Sequence, residues 1–176
     1  LKQAAHGELS EMPGSMLRQA ISFLKGELEL EETPLPETVS YDEGDMPGSI
    51  RVACASNGGE MLDGHFGSCA SFLIYQVSPT EIRLIAIRSG IVADQKPGLT
   101  TDRNIRRAEM ISDCDILLVC SIGGPPAARA TRLGVHPIKV AEPLPAKDKL
   151  VELQARLETA PLRWVKSTGD SVAPSR

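Results

Sequence analysis

Two glycines flank His65 in the segment Met61-Leu62-Asp63-Gly64-His65-Phe66-Gly67-Ser68-Cys69. An apolar run over residues 50–55 comes shortly before it and predicts a buried strand, so His65 lies near the end of that strand. Imidazole is the side chain that most often binds a metal ion or moves a proton. Glycine allows a sharp turn and the close approach of a bulky partner. Two interpretations stay open: Gly64, His65 and Gly67 bind a ligand, or the glycines build a turn that His65 caps.

A second candidate site is Ser121-Ile122-Gly123-Gly124-Pro125-Pro126, which leads from an apolar run into a predicted helix. Proline is favoured in the first helical turn, and the free N–H groups of that turn bind anions. The segment is neither a P-loop nor a G-x-G-x-x-G motif. Either Gly123 and Gly124 offer N–H groups to a ligand, or the turn needs glycine for its geometry. Both candidate sites follow strands that are predicted neighbours, which favours a shared ligand site.

Arginines crowd the helix predicted over residues 102–112. Arg103 and Arg107 are four residues apart and are expected on one face, while Asp102 is placed to pair with Arg106. The guanidinium fork matches carboxylates, so Arg103 and Arg107 are candidate cofactor-binding residues. The alternative is an ordinary solvated helix face.

Local spacing gives no Ser/His/Asp triad, no pair of catalytic carboxylates and no H-E-x-x-H helix, so no catalytic residue is predicted. The four cysteines form no C-x-x-C pair, which favours a reducing cytoplasm over a disulfide framework. Cys69 alone cannot hold an iron–sulfur cluster, which usually takes four thiolates. His136 is predicted to be structural at the start of a strand. These observations favour a binding protein over an enzyme.

The elements that position these residues alternate between strand and helix. The Ser78-Pro79-Thr80 turn joins the second and third strands as an antiparallel hairpin. The fully apolar run at residues 116–120 predicts a central strand covered on both faces. We therefore predict an α/β fold with a mixed five-stranded sheet and helices on both faces. The predicted strands are residues 50–55, 71–77, 81–88, 116–120 and 138–140, and the predicted helices are 102–112, a segment ending at 133, and 147–157.

Three segments are expected along the chain. Residues 1–49 are predicted to hold a helix over 13–29 and an acidic, proline-containing linker over 31–47, as the end of another domain or a docking segment. Residues 50–157 form the cofactor-binding domain, which is expected to fold alone, and residues 158–176 are a C-terminal tail. The chain begins with Leu1, so we interpret it as a fragment or a processed chain.

Charge is unevenly distributed between these segments. Residues 1–49 hold 10 acidic and 3 basic side chains, whereas residues 50–157 hold 11 acidic and 13 basic ones. A slightly basic domain suits an anionic small ligand better than nucleic acid, which needs a dense basic patch. Aromatic residues make up 3% of the chain, which also argues against base stacking. No apolar run approaches the ~20 residues of a membrane span, so neither nucleic acid nor a membrane is an expected partner.

Several motifs together closely resemble the dinitrogenase iron–molybdenum cofactor biosynthesis family. The resemblance covers about residues 50–157, and the upstream segment and the tail around Trp164 are most similar to the nitrogenase accessory-factor members. The motifs are Asp63-Gly64-His65-Phe66-Gly67, Phe72-Leu73-Ile74-Tyr75-Gln76-Val77, Ser121-Ile122-Gly123-Gly124-Pro125-Pro126-Ala127-Ala128 and Gly134-Val135-His136-Pro137-Ile138.

The resemblance implies a ribonuclease H-like fold without nuclease activity. It implies a non-enzymatic cytoplasmic carrier of the iron–molybdenum cofactor or of its precursor. The cofactor is a cluster with homocitrate. The cofactor-binding histidine of the family maps onto His65, the expected metal ligand. The implied partners are cofactor biosynthesis proteins and apo-dinitrogenase, into which the carrier assists cofactor insertion. One histidine beside glycines and a helix N-terminus fits a ligand that must be released again.

Three alternatives remain. An adaptor that binds apo-dinitrogenase without cofactor is the main one. A ribonuclease H-class enzyme would need converging carboxylates, and a redox module would need a reactive thiol at Cys69. The available carboxylates follow no such pattern; they are Asp63, Asp94, Asp102 and Asp115.

Overall fold

Three antiparallel strands continue into two parallel strands to make one mixed sheet, with the strand order β4-β3-β1-β5-β6. The structure is a computed structural model, and it describes residues 35–91 and 102–159. Strand β1 pairs antiparallel with β3 and parallel with β5. The elements are β1 (Ile50–Ser56), β2 (Met61–Leu62), β3 (Ser71–Val77), β4 (Ile82–Ser89), α1 (Arg103–Met110), β5 (Ile116–Val119), α2 (Gly124–Arg132), β6 (His136–Lys139), β7 (Leu144–Pro145) and α3 (Ala146–Thr159).

Each face of the sheet packs against its own helices, because side chains alternate along the central strand. Val52 and Cys54 of β1 belong to the core on the α3 side, with Leu150 and Leu153 of that helix. The opposite core holds alternate residues of the same strands together with buried residues of α1 and α2; these include Ala53, Ala55, Phe72, Leu117, Ala108, Ile111 and Ala130. This confirms the expected α/β fold, a mixed five-stranded sheet with helices on both faces.

The observed elements differ from the predicted ones in small ways. Strands β2 and β7 form a two-residue antiparallel ribbon that was not predicted, since two residues carry no periodicity. Strand β6 begins at His136, two residues before the predicted strand, because the His136 N–H bonds to the Asp115 carbonyl at 2.8 Å. The predicted helix over 13–29, part of the loop over 89–101 and the tail beyond 159 lie outside the described residues.

Part of the predicted acidic linker packs on the domain. The Val39 N–H bonds to the Leu84 carbonyl of β4 at 2.8 Å, and Met46 is buried. Glu43 forms an ion pair with Arg51 of β1. The compact unit accordingly begins at Leu35, upstream of the predicted domain start at residue 50. In the part of the chain that the structure describes, no helix is long and apolar enough to cross a membrane.

Candidate functional site

The His65 turn is held at the carboxyl ends of β1 and β5 by backbone hydrogen bonds. The Gly64 N–H donates to the Ala55 carbonyl at 3.0 Å, and the Gly64 carbonyl accepts from Cys120 N–H at 3.0 Å. The Phe66 N–H donates to the Ser121 carbonyl at 2.9 Å, so His65 pairs with Ser121 in a parallel bridge. The turn is therefore inserted between the ends of the two central strands, where ligands gather in open α/β sheets.

The His65 side chain is exposed, and its Nδ1 lies 2.7 Å from the Ser121 Oγ. Either atom can donate in this hydrogen bond, depending on the imidazole tautomer. When Nδ1–H donates to Oγ, the lone pair is on Nε2, which can then bind a metal. Histidines that bind metals commonly use their other nitrogen in this way, which fixes the ring orientation. The hydrogen bond to Ser121 thus holds the His65 ring in one orientation, and in that tautomer Nε2 is available to a metal ion.

Arg107 supports the same turn from inside the protein, rather than from the ligand side. Its side chain is 1% exposed, and Nη1 donates to the carbonyls of Phe66 and Cys69, each at 3.0 Å. The same Nη1 lies 3.2 Å from the Cys69 Sγ. Arg103 and Arg107 were expected to share one helix face and to bind cofactor. The structure separates them, since the Arg103 side chain is exposed and the Arg107 side chain is buried. We therefore treat Arg107 as a positioning residue for the His65 turn.

The two glycines of the turn have a packing role. A Cβ added at Gly64 would lie 2.7 Å from the Ala55 carbonyl carbon and 2.7 Å from the Cys69 Cβ, so a side chain cannot fit there. Gly64 is buried, which supports the turn-building interpretation for this residue. A Cβ at Gly67 would lie 3.3 Å from the Asn104 Oδ1, so Gly67 allows α1 to approach the turn closely.

The glycines before α2 have no such packing role. Gly123 is the N-cap of α2 with φ −71° and ψ 161°, a conformation open to any residue. A Cβ at Gly124 would meet nothing within 4 Å, and one at Gly123 would make only ordinary contact with Pro126. At Gly123 and Gly124 the structure therefore does not support the interpretation that the turn before α2 needs glycine for its geometry. Because both residues are exposed and no side chain caps Gly123, the N-terminus of α2 is open to an incoming anion. Pro125 and Pro126 have no N–H, so Gly123 and Gly124 are the residues of this turn that can offer N–H groups.

The carboxylates considered for a nuclease-type metal site lie apart in the fold. Asp63 accepts from the Asn57 N–H at 2.8 Å near the His65 turn, while Asp115 accepts from the Arg51 N–H at the start of β1. Asp102 caps α1, and Asp94 lies outside the described residues. Among residues 35–91 and 102–159, no group of three or more His, Cys, Asp or Glu side chains could hold a metal ion. Among these described residues, therefore, no such group includes His65.

The thiols are enclosed by the protein. Cys54, Cys69 and Cys114 are buried, and Cys120 is partly buried. Burial raises the pKa of the Cys54 and Cys114 thiols far above the ordinary value, with the neighbouring Asp113 carboxylate adding to the effect at Cys114. Neutral, buried thiols of this kind act as small apolar side chains.

Two functional features were missed by reasoning from the sequence. Ser121 was considered only for its backbone position, and no local signal connects it to a histidine 56 residues away. For Arg107 a signal exists, because it precedes the buried Ile111 by four residues and so shares its face of the helix.

The chain is similar to known proteins in sequence. The family model described as dinitrogenase iron-molybdenum cofactor matches residues 48–156. Protein NifY of Azotobacter vinelandii is 43% identical over 169 residues, which covers 94% of this chain and 67% of that protein. Protein NifX of Rhodobacter capsulatus is 37% identical over 123 residues, covering 67% of this chain and 77% of its own length. The apo form of the orange protein from Desulfovibrio gigas, a solved structure, aligns with a TM-score of 0.48 at 15% identity, covering 78% of this chain and 100% of that chain.

The identity to Protein NifY confirms the prediction that this chain most resembles the accessory-factor members. The match to the family model extends over more than half of the chain and includes both the His65 turn and the N-terminus of α2. The chain belongs to the dinitrogenase iron–molybdenum cofactor family and has a role in nitrogenase maturation for nitrogen fixation.

Proposed function

We propose that this protein is a non-enzymatic carrier that binds the iron–molybdenum cofactor, or its precursor, transiently and assists its insertion into apo-dinitrogenase. The observation that carries the proposal is the exposed His65 ring, with Nδ1 held by Ser121 at 2.7 Å so that Nε2 can bind a metal. The family model that matches the chain is named for this cofactor.

A carrier must bind its cargo firmly enough to hold it and weakly enough to release it. A single imidazole supplies one metal–ligand bond, and the open N-terminus of α2 adds charge–dipole attraction of ~0.3–1 kcal/mol for an anion. The exposed Arg103 guanidinium at the start of α1 adds a further positive charge. This set suits an anionic cluster that passes from a cofactor biosynthesis protein to apo-dinitrogenase.

Replacing the histidine tests the proposal. We expect His65→Ala to lose most cofactor binding and to keep its fold, because an exposed imidazole contributes little packing. Iron and molybdenum content and an EPR spectrum, after anaerobic incubation with isolated cofactor, measure binding, and thermal unfolding of the same sample measures stability. His136→Ala is the matched control, since His136 is also exposed but lies at the start of β6, opposite the carboxyl ends of the parallel strands.

Two outcomes would contradict the carrier function. Wild-type cofactor affinity in a folded His65→Ala variant would remove His65 from the site. A wild-type protein that captures apo-dinitrogenase in a pull-down but takes up no iron or molybdenum would instead be the adaptor considered above.

A further inference from the structure

A cavity of about 250 Å³ lies between the N-terminal turn of α1 and one side of α2, from its first turn to its last. Polar side chains from both helices line it, and Ile105 and Pro126 add apolar surface; the polar residues are Asp102, Asn104, Arg129 and Arg132. Its volume is below the ~300–1,000 Å³ of sites for drug-sized ligands. The cavity therefore suits a small organic molecule, or one arm of a larger ligand.

Two residues of the cavity wall carry buried polar atoms with no hydrogen-bond partner, Asn104 Oδ1 and Arg129 Nε. Buried polar atoms in folded proteins almost always have a partner. The oxygen and nitrogen of an asparagine amide are interchanged by a flip, so Asn104 can present either a donor or an acceptor. Two residues of one cavity wall thus have spare hydrogen-bonding capacity, which a rotation of either side chain would bring to a polar ligand in the cavity.

The charges around the cavity favour a carboxylate. Glu109 accepts from Arg129 Nη2 at 2.8 Å and so holds the guanidinium plane in place. Arg132 donates through Nε to the Ala128 carbonyl at 3.3 Å, and its side chain is otherwise exposed. The one carboxylate of the wall, Asp102, accepts from the Asn104 N–H as the helix cap. The guanidinium fork is the group best matched to the planar carboxylate.

The cavity adjoins the His65 site through its two glycines. The Asn104 Oδ1 lies 3.3 Å from the Cβ position of Gly67, and the Pro126 ring lies 3.7 Å from that of Gly123. Residues of the cavity wall thus lie close to Gly67, two residues after His65, and to Gly123, two residues after Ser121. We propose that the cavity binds the organic-acid arm of the cargo, the homocitrate carboxylates, while His65 binds the metal end. This inference rests on the carrier function proposed above.

Free homocitrate is the probe that tests the cavity separately from the cluster. We expect its titration into the ¹⁵N-labelled full chain to shift the Arg129 Nε–H resonance in a heteronuclear correlation spectrum. Arg129→Gln and Arg132→Gln are each expected to weaken homocitrate binding roughly tenfold, because each removes a charge-assisted contact. Arg156→Gln is the control, since Arg156 is exposed on α3 across the sheet and pairs with Glu152. His65→Ala is expected to bind homocitrate as the wild type does.

The proposal is overturned if homocitrate shifts no cavity resonance, if both glutamine variants bind it like the wild type, or if sulfate binds equally well. Each of these results leaves the carrier function intact when His65→Ala still loses the cofactor. Conversely, normal cofactor binding by His65→Ala together with homocitrate binding at Arg129 would refute the His65 site and retain an organic-acid site.

Discussion

The two ends of helix α1 are built differently. At its C-terminal end, Asp113 pairs with Arg51 and Arg88, Arg51 also pairs with Glu43, and Arg88 donates to the Met110 carbonyl. We call these four charged residues, Glu43, Arg51, Arg88 and Asp113, the Asp113 cluster. At its N-terminal end lie the exposed Arg103, the cavity and the unpartnered Asn104 Oδ1. Charges that satisfy one another stabilise the fold, whereas polar groups with spare bonding capacity can bind a ligand.

Arg107 lies between these two ends and connects stability with the site. Its guanidinium reaches away from solvent to the carbonyls of Phe66 and Cys69, so it fixes the backbone on both sides of Gly67. This buried charge stabilises the fold, as the Asp113 cluster does, yet the turn that it holds carries His65, the proposed metal ligand. We therefore expect substitutions in the Asp113 cluster, at the C-terminal end of α1, to change stability alone. Substitutions at the N-terminal end are expected to change binding alone, and a substitution at Arg107 is expected to change both.

We expect Arg107→Met to give the largest effect on stability. It removes charge-assisted hydrogen bonds to two buried carbonyls, at a cost of about 3 kcal/mol or more. Urea unfolding measures the loss, and Arg107→Lys is expected to be intermediate because one ammonium cannot reach both carbonyls in the same geometry. In folded Arg107→Lys, cofactor affinity and the ¹⁵N shifts of the His65 ring are also expected to change.

Arg103→Met is the matched control for this test, since it removes an exposed arginine from the same helix. Its free energy of unfolding is expected to stay within about 0.5 kcal/mol of the wild type. An Arg107→Met variant as stable as the wild type would show that the buried guanidinium does not hold the turn.

The N-cap of α2 permits a test in which stability and binding change in opposite directions. Gly123→Asp fits the observed backbone conformation, so by restricting the unfolded chain it is expected to raise the free energy of unfolding by a few tenths of a kcal/mol, or by ~1 kcal/mol with the helix dipole. No capping hydrogen bond adds to this gain, because Pro125 and Pro126 occupy the positions whose N–H groups a cap side chain would reach. The same carboxylate stands where an anionic cargo approaches, and cofactor affinity is expected to fall about three- to tenfold. Unfolding and cofactor uptake are measured on one preparation.

Gly123→Ser separates charge from the backbone effect. It restricts the unfolded chain in the same way without adding charge, so it is expected to gain a few tenths of a kcal/mol of stability and to keep cofactor affinity near the wild-type value. Equal losses of affinity in the serine and aspartate variants would indicate a steric effect instead. A loss of stability in both would contradict the open geometry described for Gly123.

The sequence predicts most of the fold because its long elements carry their own pattern. Strand β3 matches the predicted residues 71–77, since an apolar run ends there at a recognisable turn. The β2–β7 ribbon could not be predicted, because its pairing depends on the placement of distant segments. The composition of residues 31–47 predicts a linker, yet within the described part of that segment Glu43 pairs with Arg51 and Met46 is buried.

The site could be predicted only in part. His65 and the glycines before α2 can be recognised from the sequence, because a histidine between glycines and a pair of glycines before a helix are local patterns. The contact of Ser121 with His65 and the cavity cannot, since both form where segments far apart in the chain meet. Arg107 was predicted to share a face with Arg103, because the two residues are four apart on the helix. The structure buries Arg107 instead, and its hydrogen bonds to the turn carbonyls satisfy the buried guanidinium.

The smallest effect is expected in the Asp113 cluster and concerns pH. Burial disfavours ionisation of Asp113, but hydrogen bonds and charge from Arg88 and Arg51 outweigh it and lower its pKa to about 2. An unfolded chain has a pKa near ~3.9 at an aspartate. The ionised carboxylate therefore stabilises the fold fully above that value, and this contribution is lost as pH falls toward 2.

Asp113→Asn should consequently lower the free energy of unfolding at neutral pH, by at most about 1 kcal/mol because solvent screens so exposed a group. The difference from the wild type should stay constant down to about pH 5 and shrink between about pH 4 and pH 2. Urea unfolding at a series of pH values measures it, with the exposed Glu142→Gln as a control for general acid effects. Cofactor binding at neutral pH should be unchanged, since the cluster lies at the other end of α1 from the cavity. A gap that widens toward pH 2, or a loss of cofactor affinity, would show that the two ends of the helix are not separate in function.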